Sequence, residues 1–212
     1  MIFKSNKKFY LVGISYKNAD LETRGRFNLN RTLSSQLLKR GQEKNFDDLF
    51  VLSTCNRTEV YAVANNSNEL IDLLCENSLG SKKVLKKLGY VMENQKAINH
   101  LFRVGAGLDS QILGDFEIIG QIKQSFSLAK NLSIKNFFIE RLLNLVIQAI
   151  KLIKNKTNIS SGAASLSFAS VQYIINKVKH ISEKKILLFG TGKIGRNTCE
   201  NLIKHTKNNH IY

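Results

Sequence analysis

The 212-residue sequence contains no proline, only three cysteines and no apolar run approaching the ~20 residues of a membrane-spanning helix. Since about 5% proline is usual, its absence indicates a compositional bias. The cysteines, Cys55, Cys75 and Cys199, are far apart and form no CxxC pair. Their spacing argues against a zinc site or a disulfide framework and predicts a reducing, cytoplasmic environment. The N-terminus lacks a long apolar segment with a cleavage site, so we expect no signal peptide.

Acidic residues are scarce relative to basic ones. The sequence holds 32 Lys and Arg against 16 Asp and Glu, which gives a formal charge of +16. Such an excess suits a polyanionic partner, because basic side chains displace counterions from phosphates. A lysine- and asparagine-rich composition explains the same number without any partner. Charge alone therefore does not establish nucleic-acid binding.

Hydrophobic patterning predicts alternating strands and helices in the first third of the chain. Strands are indicated at 8–16 and on both sides of residues 54–57, and a helix follows Asn30, a candidate cap. From Ser81 to Thr157 the pattern is mostly helical, and its strongest helix carries an apolar stripe at helical spacing. The prediction is an α/β fold: an α+β domain with a mixed sheet and several helices, followed by the start of a Rossmann-type dinucleotide-binding domain.

The C-terminal segment KKILLFGTGKIGRNTCENLIKH begins a different pattern. The apolar run at 186–189 predicts a buried strand, and Gly190, Gly192 and Gly195 then form G-x-G-x-x-G before a helical segment. Glycines there allow a tight turn and close approach of a pyrophosphate to a helix N-terminus. The strand–turn–helix context strengthens an otherwise weak motif. A small-residue stretch at 160–170 precedes it and marks the predicted domain boundary.

The segment VLSTCNRTEVYAV places Cys55 in a loop between two predicted strands. A nucleophilic cysteine must be partly exposed and must ionise near neutral pH. Arg57 could lower the pKa of the thiol or hold an anionic substrate, and Thr54 and Asn56 could hydrogen-bond around a carbonyl. A buried structural cysteine at a strand end fits the same pattern, so the residues alone leave both alternatives open.

A second polar cluster follows in NHLFRVGAGLDSQILGDFEIIGQIK, residues 99–123. His100 is a candidate general acid or base because the pKa of histidine lies near working pH. A packed or surface histidine on a helix is the alternative. Further polar candidates are Ser110, Asp115, Glu117 and Gln121.

STCNRTEVYA together with HLFRVGAGLDSQILGDFEIIGQIK resembles glutamyl-tRNA reductase. VGISYKNADLETRGRF resembles the opening strand and loop of that family, SSGAASLSFASVQ its approach to the dinucleotide domain, and LLFGTGKIG its cofactor loop. The resemblance covers nearly the whole chain. It implies NADPH-dependent reduction of glutamyl-tRNA(Glu) to glutamate-1-semialdehyde, the first committed step of tetrapyrrole biosynthesis, through a cysteine thioester.

The resemblance also implies roles for individual residues. Cys55 is the expected nucleophile, and His100 matches a histidine important for activity. Substrate contacts are expected from Thr54, Asn56, Arg57, Ser110, Asp115, Phe116, Glu117 and Gln121, with Arg57 suited to the side-chain carboxylate of glutamate. The NADPH pyrophosphate would lie on Gly190, Thr191, Gly192, Lys193, Ile194 and Gly195. No metal is expected.

The sequence departs from the family pattern at two places. Asp115-Phe116-Glu117 stands where the family usually reads Glu-Pro-Gln. Asp for Glu shortens an acidic side chain, Phe for Pro frees the backbone φ angle at that position, and Glu for Gln adds a charge near the substrate. The other departure is the end: residues 1–158 predict the catalytic domain and 159–212 only the first unit of an NADPH domain. The family's spinal helix and dimerisation domain are not predicted.

These departures give a split expectation. The chain would bind glutamyl-tRNA and form the thioester, but it would reduce the thioester poorly and would act at most as a slow esterase. The family is homodimeric, with glutamate-1-semialdehyde aminomutase as a candidate partner, and neither DNA nor a membrane is expected. Two alternatives remain. The chain could be a non-catalytic tRNA-binding or interaction fragment, the product of a decayed or split gene, or a separate chain could supply the missing domains in trans.

Overall fold

The computed structural model describes residues 7–115, 117–132, 134, 137–157 and 166–212. Phe116 and the predicted domain boundary at 158/159 lie outside these residues. The strands are β1 (Lys8–Ser15), β2 (Asp47–Ser53), β3 (Arg57–Ala64) and β4 (Tyr90–Glu93). The helices are α1 (Leu21–Phe27), α2 (Arg31–Glu43), α3 (Ser67–Glu76), α4 (Lys82–Leu88), α5 (Gln95–Gly105), α6 (Glu117–Asn131), α7 (Phe137–Lys156), α8 (Leu166–Lys177) and α9 (Lys193–Thr206).

The four strands form one sheet in the order β2-β3-β1-β4. All of its pairings are antiparallel. The α/β class is confirmed, but the prediction of a mixed sheet is wrong for these strands. A tight loop joins β2 to β3 and forces them to run in opposite directions, and β1 and β4 then add in the same alternating manner.

The sheet is covered by helices on both faces, and the alternation along β3 shows how. Val60, Ala62 and Ala64 face a core that includes residues of α2 and α3. Tyr61 and Val63 face a second core that includes residues of α5 and α7. Since successive side chains of a strand point to opposite faces, β3 contributes to both cores, and the whole strand is buried.

Helix starts follow the predicted chemistry where the sequence carries a cap. The Asn30 side chain accepts a hydrogen bond from the Leu33 backbone N–H at 2.9 Å, which confirms Asn30 as the cap of α2. Two short elements were not expected. The segment predicted as a polar connection contains α1, capped by Asp20, and β4 interrupts the region predicted as mostly helical.

The C-terminal unit consists of α8, a short 3₁₀ turn (Ile181–Glu183) and α9, with one parallel bridge between Ile186 and Ile211. The prediction of a buried strand at 186–189 is wrong. Leu187 is 80% exposed and Phe189 101% exposed, because a single bridged pair offers no sheet on which these side chains could pack. Over the described part of the chain, no helix has the length and apolarity needed to cross a membrane.

Candidate active site

Cys55 lies at the tip of the β2–β3 hairpin and is exposed. The Thr54 hydroxyl accepts hydrogen bonds from the backbone N–H groups of Asn56 and Arg57, both at 3.2 Å. The Tyr16 N–H donates to the Asn56 carbonyl at 2.9 Å. These bonds fix the turn from inside, so the thiol stands out from a rigid hairpin rather than from a loose loop.

A cavity of about 170 Å³ opens beside the thiol. Its wall comes from the hairpin, from the loop after α5 and from the start of α6. The structure thus brings together residues that are far apart in the sequence, from Thr54 to Gln121 and on to Ile194. The predicted substrate and catalytic residues in its lining are Thr54, Cys55, Asn56, Arg57, Ser110, Asp115, Glu117 and Gln121, and the predicted cofactor residue Ile194 lines it as well.

Asp115 and Glu117 lie at the start of α6, whose first residue is Glu117. The Asp115 carboxylate accepts a hydrogen bond from the Glu117 backbone N–H at 2.9 Å, so the shorter acidic side chain caps the helix as well as lining the cavity. Gly107 lies under Asp115 in a left-handed conformation, with φ of 70°. A Cβ at Gly107 would come within 2.9 Å of the Asp115 backbone. A side chain there would therefore displace one wall of the cavity.

Arg57 is buried, with a side chain only 3% exposed, and its guanidinium is held on two sides. It donates to the Glu59 carboxylate at 3.0 Å and to the Asp109 backbone carbonyl. Glu59 and Asp109 belong to different segments, so the guanidinium fastens the hairpin to the loop after α5. A substrate carboxylate in the cavity would meet an arginine that is already oriented, because this ion pair fixes its position.

Glu59 is the centre of a buried hydrogen-bond network. Its carboxylate accepts from Arg57, from the hydroxyls of Tyr61 and Tyr90 at 2.6 and 2.5 Å, and from His100 Nε2 at 2.8 Å. Burial alone would raise the pKa of Glu59. The hydrogen bond from His100 and the charge of Arg57 outweigh burial and lower the pKa to about 2.

The network also acts on its tyrosines. Burial first, and then the negative charge of Glu59, raise the pKa values of Tyr61 and Tyr90 well above the ordinary value. Both hydroxyls therefore stay protonated and donate. An ionised carboxylate has no hydrogen to donate. The His100 atom that faces Glu59, Nε2, therefore carries the hydrogen of this bond.

His100 does not line the cavity beside Cys55. It lies on α5 behind the Arg57–Glu59 pair and lines a separate cavity of about 490 Å³, together with Lys17, Arg103 and Asp109. Arg57 lines both cavities. The structure thus separates the two predicted catalytic side chains by a buried ion pair.

Asp109 holds the loop after α5 in place. Its carboxylate accepts from Lys17 and, at 3.1 Å through both oxygens, from Arg103. Burial opposes ionisation, but the hydrogen bonds from Arg103 and Lys17 outweigh it and lower the pKa of Asp109 to about 2. Its backbone carbonyl meanwhile binds Arg57. Asp109 therefore couples the loop, α5 and the hairpin.

The predicted cofactor residues form the start of α9. Gly190 has φ of 126° and Gly192 is the residue before the helix. A Cβ at Gly195 would lie 2.0 Å from the Gly190 carbonyl oxygen, so only glycine lets the helix pack this closely on the turn. The first turn of α9 has no acidic residue. These features fit the cradle that a pyrophosphate requires at a helix N-terminus.

The glycine-rich loop reaches the cysteine cavity. Ile194, in the first turn of α9, and Ser167 of α8 both line it, and the Ser167 hydroxyl donates to the Ile194 carbonyl at 3.2 Å. Thr191 accepts from Arg196 Nε through its carbonyl at 3.1 Å. The loop also borders its own cavity of about 550 Å³, which includes Gly190, Gly192 and Gly195 in its lining.

The other two cysteines differ from Cys55. Cys75 packs against the core beneath α3, and its burial raises the pKa of its thiol. Cys199 is partly buried on α9. A buried thiol that resists ionisation is a poor nucleophile. Cys55 is thus the exposed member of the three.

Sequence reasoning missed Glu59, Tyr61 and Tyr90 as site residues. One signal was present: Glu59 and Tyr61 are two positions apart on a strand and so share a face, where a carboxylate requires partners. Tyr90 had no such signal, since β4 itself was not predicted.

The fold and the site together define a class of protein. It is an α/β protein in which an exposed hairpin cysteine lies beside a polar cavity, and a glycine-rich turn at the start of a helix reaches the rim of that cavity. Residues 12–157 match the family "Glutamyl-tRNAGlu reductase, N-terminal domain". The chain belongs to the glutamyl-tRNA reductase family, which confirms the resemblance of its cysteine and LDSQILG segments.

Individual relatives agree with the family match. The chain is 58% identical over 205 residues to a glutamyl-tRNA reductase of Christiangramia forsetii, covering 97% of this chain and 49% of that protein. It is 59% identical over 203 residues to that of Flavobacterium psychrophilum, covering 96% and 49%. The solved glutamyl-tRNA reductase from Methanopyrus kandleri aligns with a TM-score of 0.67 at 26% identity, over 92% of this chain and 46% of that one. The chain thus spans about half the length of these relatives.

Proposed function

We propose that this chain carries the cysteine chemistry of a glutamyl-tRNA reductase: Cys55 takes the glutamyl group from glutamyl-tRNA(Glu) as a thioester. One observation carries the proposal. The exposed thiol of Cys55 shares a polar cavity with the predicted glutamate contacts and with Ile194 of the glycine-rich loop. In this proposal, the acceptor of the acyl group, the glutamate pocket and the cofactor loop all lie around one cavity.

The reaction begins with attack of the Cys55 thiolate on the carbonyl carbon of the ester. A carbon–sulfur bond forms, the bond from that carbon to the ribose oxygen breaks, and the ribose oxygen leaves with a proton. The rigid hairpin around Thr54 holds the thiol in position for this attack. Asn56 and Ser110 provide neutral hydrogen-bonding groups at the cavity wall.

Arg57 is assigned to the side-chain carboxylate of the glutamyl group. Glu59 offsets part of its charge, and Glu59 and the Asp109 carbonyl accept from two of the five N–H donors that an arginine carries, which leaves the others for a substrate carboxylate. Gln121 and Asp115 would complete recognition of the glutamyl group. His100 is assigned a positioning role, because it reaches the cavity only through Glu59 and Arg57.

NADPH fits the residues of the glycine-rich turn. Gly190, Gly192 and Gly195 would hold its pyrophosphate at the start of α9, and Ile194 would lie between the cofactor and the cysteine cavity. When bound, NADPH supplies the hydride that converts a thioester to glutamate-1-semialdehyde. Residues 186–212 hold one helix, α9, and one parallel bridge, whereas a dinucleotide fold needs several strand–helix units. The rest of the cofactor fold, and the family's dimerisation domain, would come from chain outside these 212 residues or from another chain.

Without hydride, water would release glutamate from Cys55 and regenerate the thiol. The 212-residue chain would then act as a slow esterase. The complete enzyme would pass its aldehyde product to a separate protein, an aminomutase. A cytoplasmic location remains the expectation from the cysteine content.

Covalent capture tests the proposal. The chain is mixed with tRNA charged with labelled glutamate and quenched in acid, and label on the protein is measured. We expect label on the wild type and on Cys75→Ser, the matched control, and none on Cys55→Ser. An unlabelled wild-type chain that is folded by circular dichroism would refute the proposal, as would label that survives Cys55→Ser.

A second candidate function is non-catalytic tRNA binding. The formal charge of +16 favours it, since phosphate contacts alone give affinity without chemistry. RNA binding that weakens steeply with salt and is unchanged by Cys55→Ser, without any covalent adduct, would support this alternative.

A further inference from the structure

A second groove lies next to the cysteine cavity, at the edge of the sheet. It has a volume of about 530 Å³ and runs between the start of α2 and the outer face of α6, over the edge strand β2. Leu29, Val51 and Leu128 form its apolar floor, and Gln124 and Ser125 form one polar wall. Such a mixture of apolar floor and a few hydrogen-bonding groups is typical of small-ligand sites.

One face of α6 connects the groove to the cysteine cavity. Gln121 lines the cavity, whereas Gln124, Ser125 and Leu128 line the groove. Spacings of three, four and seven residues place these side chains in one row along a helix. At 1.5 Å per residue, Ser125 lies about 6 Å and Leu128 about 10 Å beyond Gln121 along the axis.

The hairpin provides a second connection. Ser53 lines the groove and the next residue, Thr54, lines the cysteine cavity. The Ser53 hydroxyl is fixed by bonds to the Leu29 N–H and the Asn28 side chain, both at 2.9 Å. The groove and the cavity therefore share a rigid rim.

The charges of the groove suit a nucleotide. Among the described residues that line it, none is acidic, and Arg31 is an exposed member of the lining. An arginine at the rim suits a phosphate, and the amide and hydroxyl groups suit a ribose and a base edge.

The other neighbouring cavities fit less well the nucleoside of a glutamyl ester whose carbonyl carbon lies at the Cys55 thiol. The cavity of His100 is separated from Cys55 by the buried Arg57–Glu59 pair. The cavity on the glycine-rich loop is the one that fits the cofactor. A glutamyl ester held at Cys55 must place its ribose immediately outside the cysteine cavity, and the α2–α6 groove begins there.

We propose that the α2–α6 groove binds the terminal nucleoside of the charged tRNA, with Arg31 on the phosphate that precedes it. This inference rests on the proposed function, because it places the nucleoside whose ester Cys55 attacks. The groove then accounts for how a single-stranded 3′ end is oriented at a thiol on a hairpin tip.

The first test compares two esters. The rate of glutamyl transfer to Cys55 is measured with glutamyl-tRNA and with the α-ethyl ester of glutamate, which has no nucleoside. In Ser125→Tyr, which fills the groove, the ratio of the two rates should fall roughly tenfold because the nucleoside is misplaced. Lys123→Ala, an exposed change beside Gln124 on α6, is the control and should leave the ratio at the wild-type value.

Arg31→Ala provides a surface variant that does not fill the groove. It should reduce the slope of log affinity for tRNA against log salt by about one. Lys39→Ala, which removes one exposed cation from the same helix, is its matched control. Ratios and slopes in Ser125→Tyr and Arg31→Ala that equal those of their controls would overturn the inference.

A binding measurement separates this inference from the cysteine chemistry. The trinucleotide CCA is titrated into the 212-residue chain and backbone amide shifts are followed by NMR. Shifts at Gln124 and Leu128 that disappear in Ser125→Tyr support the groove even if Cys55 proves unreactive. Absence of shifts along α6 at millimolar CCA would overturn the inference even if Cys55 is acylated.

Discussion

The cysteine hairpin and the glycine-rich unit are built in opposite ways. Around the hairpin, a charged network is fully enclosed: Glu59 is 0% exposed and makes bonds to four other side chains. In the glycine-rich unit (residues 186–212), two apolar side chains before α9 are open to solvent: Leu187 is 80% exposed and Phe189 101%. The first region carries its own partners, whereas the second has the local geometry of a cofactor loop without a sheet around it.

The comparison has a functional consequence. Under the proposed function, cysteine acylation would depend on the enclosed region, whose bonds all lie within the described residues. Hydride transfer would depend on the open region, where the described residues form one bridge, between Ile186 and Ile211. The two half-reactions should therefore respond differently to mutation.

Glu59→Gln should have the largest effect on stability. Removing one charge leaves Arg57 buried beside a neutral group, and breaking a buried pair costs about 3–5 kcal/mol. The free energy of unfolding in urea measures it. Glu93→Gln is the matched control, since Glu93 is half exposed and pairs with Lys8 on the same sheet. That exposed pair should contribute only about 0.2–1 kcal/mol. Equal losses in the two variants would contradict the enclosed network.

Acid should lower the free energy of unfolding by protonating the Glu59 carboxylate. The pKa of Glu59 falls from the ordinary 4.5 to about 2 on folding. Stabilisation by a group with a lowered pKa is present above the unfolded value and is lost as pH falls through the folded one. Wild-type unfolding free energy should therefore decline between about pH 4.5 and pH 2 more steeply than that of Glu59→Gln. Parallel pH curves for the two proteins would exclude this assignment.

Gly13→Ala should have an intermediate effect. Gly13 pairs with Glu59 across the sheet, and a Cβ there would lie 2.8 Å from Glu59 Cγ and 3.0 Å from the Thr58 carbonyl. Overpacking of this kind costs about 1–3 kcal/mol. Gly25→Ala, on α1 with no atom within 4 Å of the new Cβ, should be neutral or stabilising. Thermal unfolding of the two variants measures the difference, and a neutral Gly13→Ala would show that the network is loosely packed.

Phe189→Ser should have the smallest effect on stability, within about 0.5 kcal/mol. The side chain contributes no buried area, so its loss removes only an exposed apolar group. Phe9→Ala, at a residue only 1% exposed, should cost about 3–5 kcal/mol. Urea unfolding gives both values. A large loss in Phe189→Ser would mean that the glycine-rich unit packs on something in solution.

Local signals predicted most of the fold. Period-two and helical patterns identified β1, β2, β3 and the long helices, and Asn30 marked the start of α2. Short elements escaped because four residues in β4 and seven in α1 are too few to show a period. The buried strand at 186–189 was wrong because burial depends on neighbouring strands, which a local apolar run cannot supply.

The sequence predicted the candidate site only in part, because local signals do not show how distant elements pack together. Motif resemblance named the residues around Cys55, and the structure brings eight of them to one cavity. The motif resemblance did not reveal that His100 lies behind Glu59, because that position depends on how α5 packs on the sheet. The roles of these residues in catalysis remain predictions.

The most direct test of the cysteine chemistry is to map the acylated residue. The 212-residue chain is incubated with glutamyl-tRNA, digested at acid pH and analysed by peptide mass spectrometry. A glutamyl group on the peptide containing Cys55, removable by hydroxylamine and absent from the peptides of Cys75 and Cys199, is the predicted result. A folded chain that carries no glutamyl group, or carries it elsewhere, would contradict the assignment of Cys55 as the nucleophile.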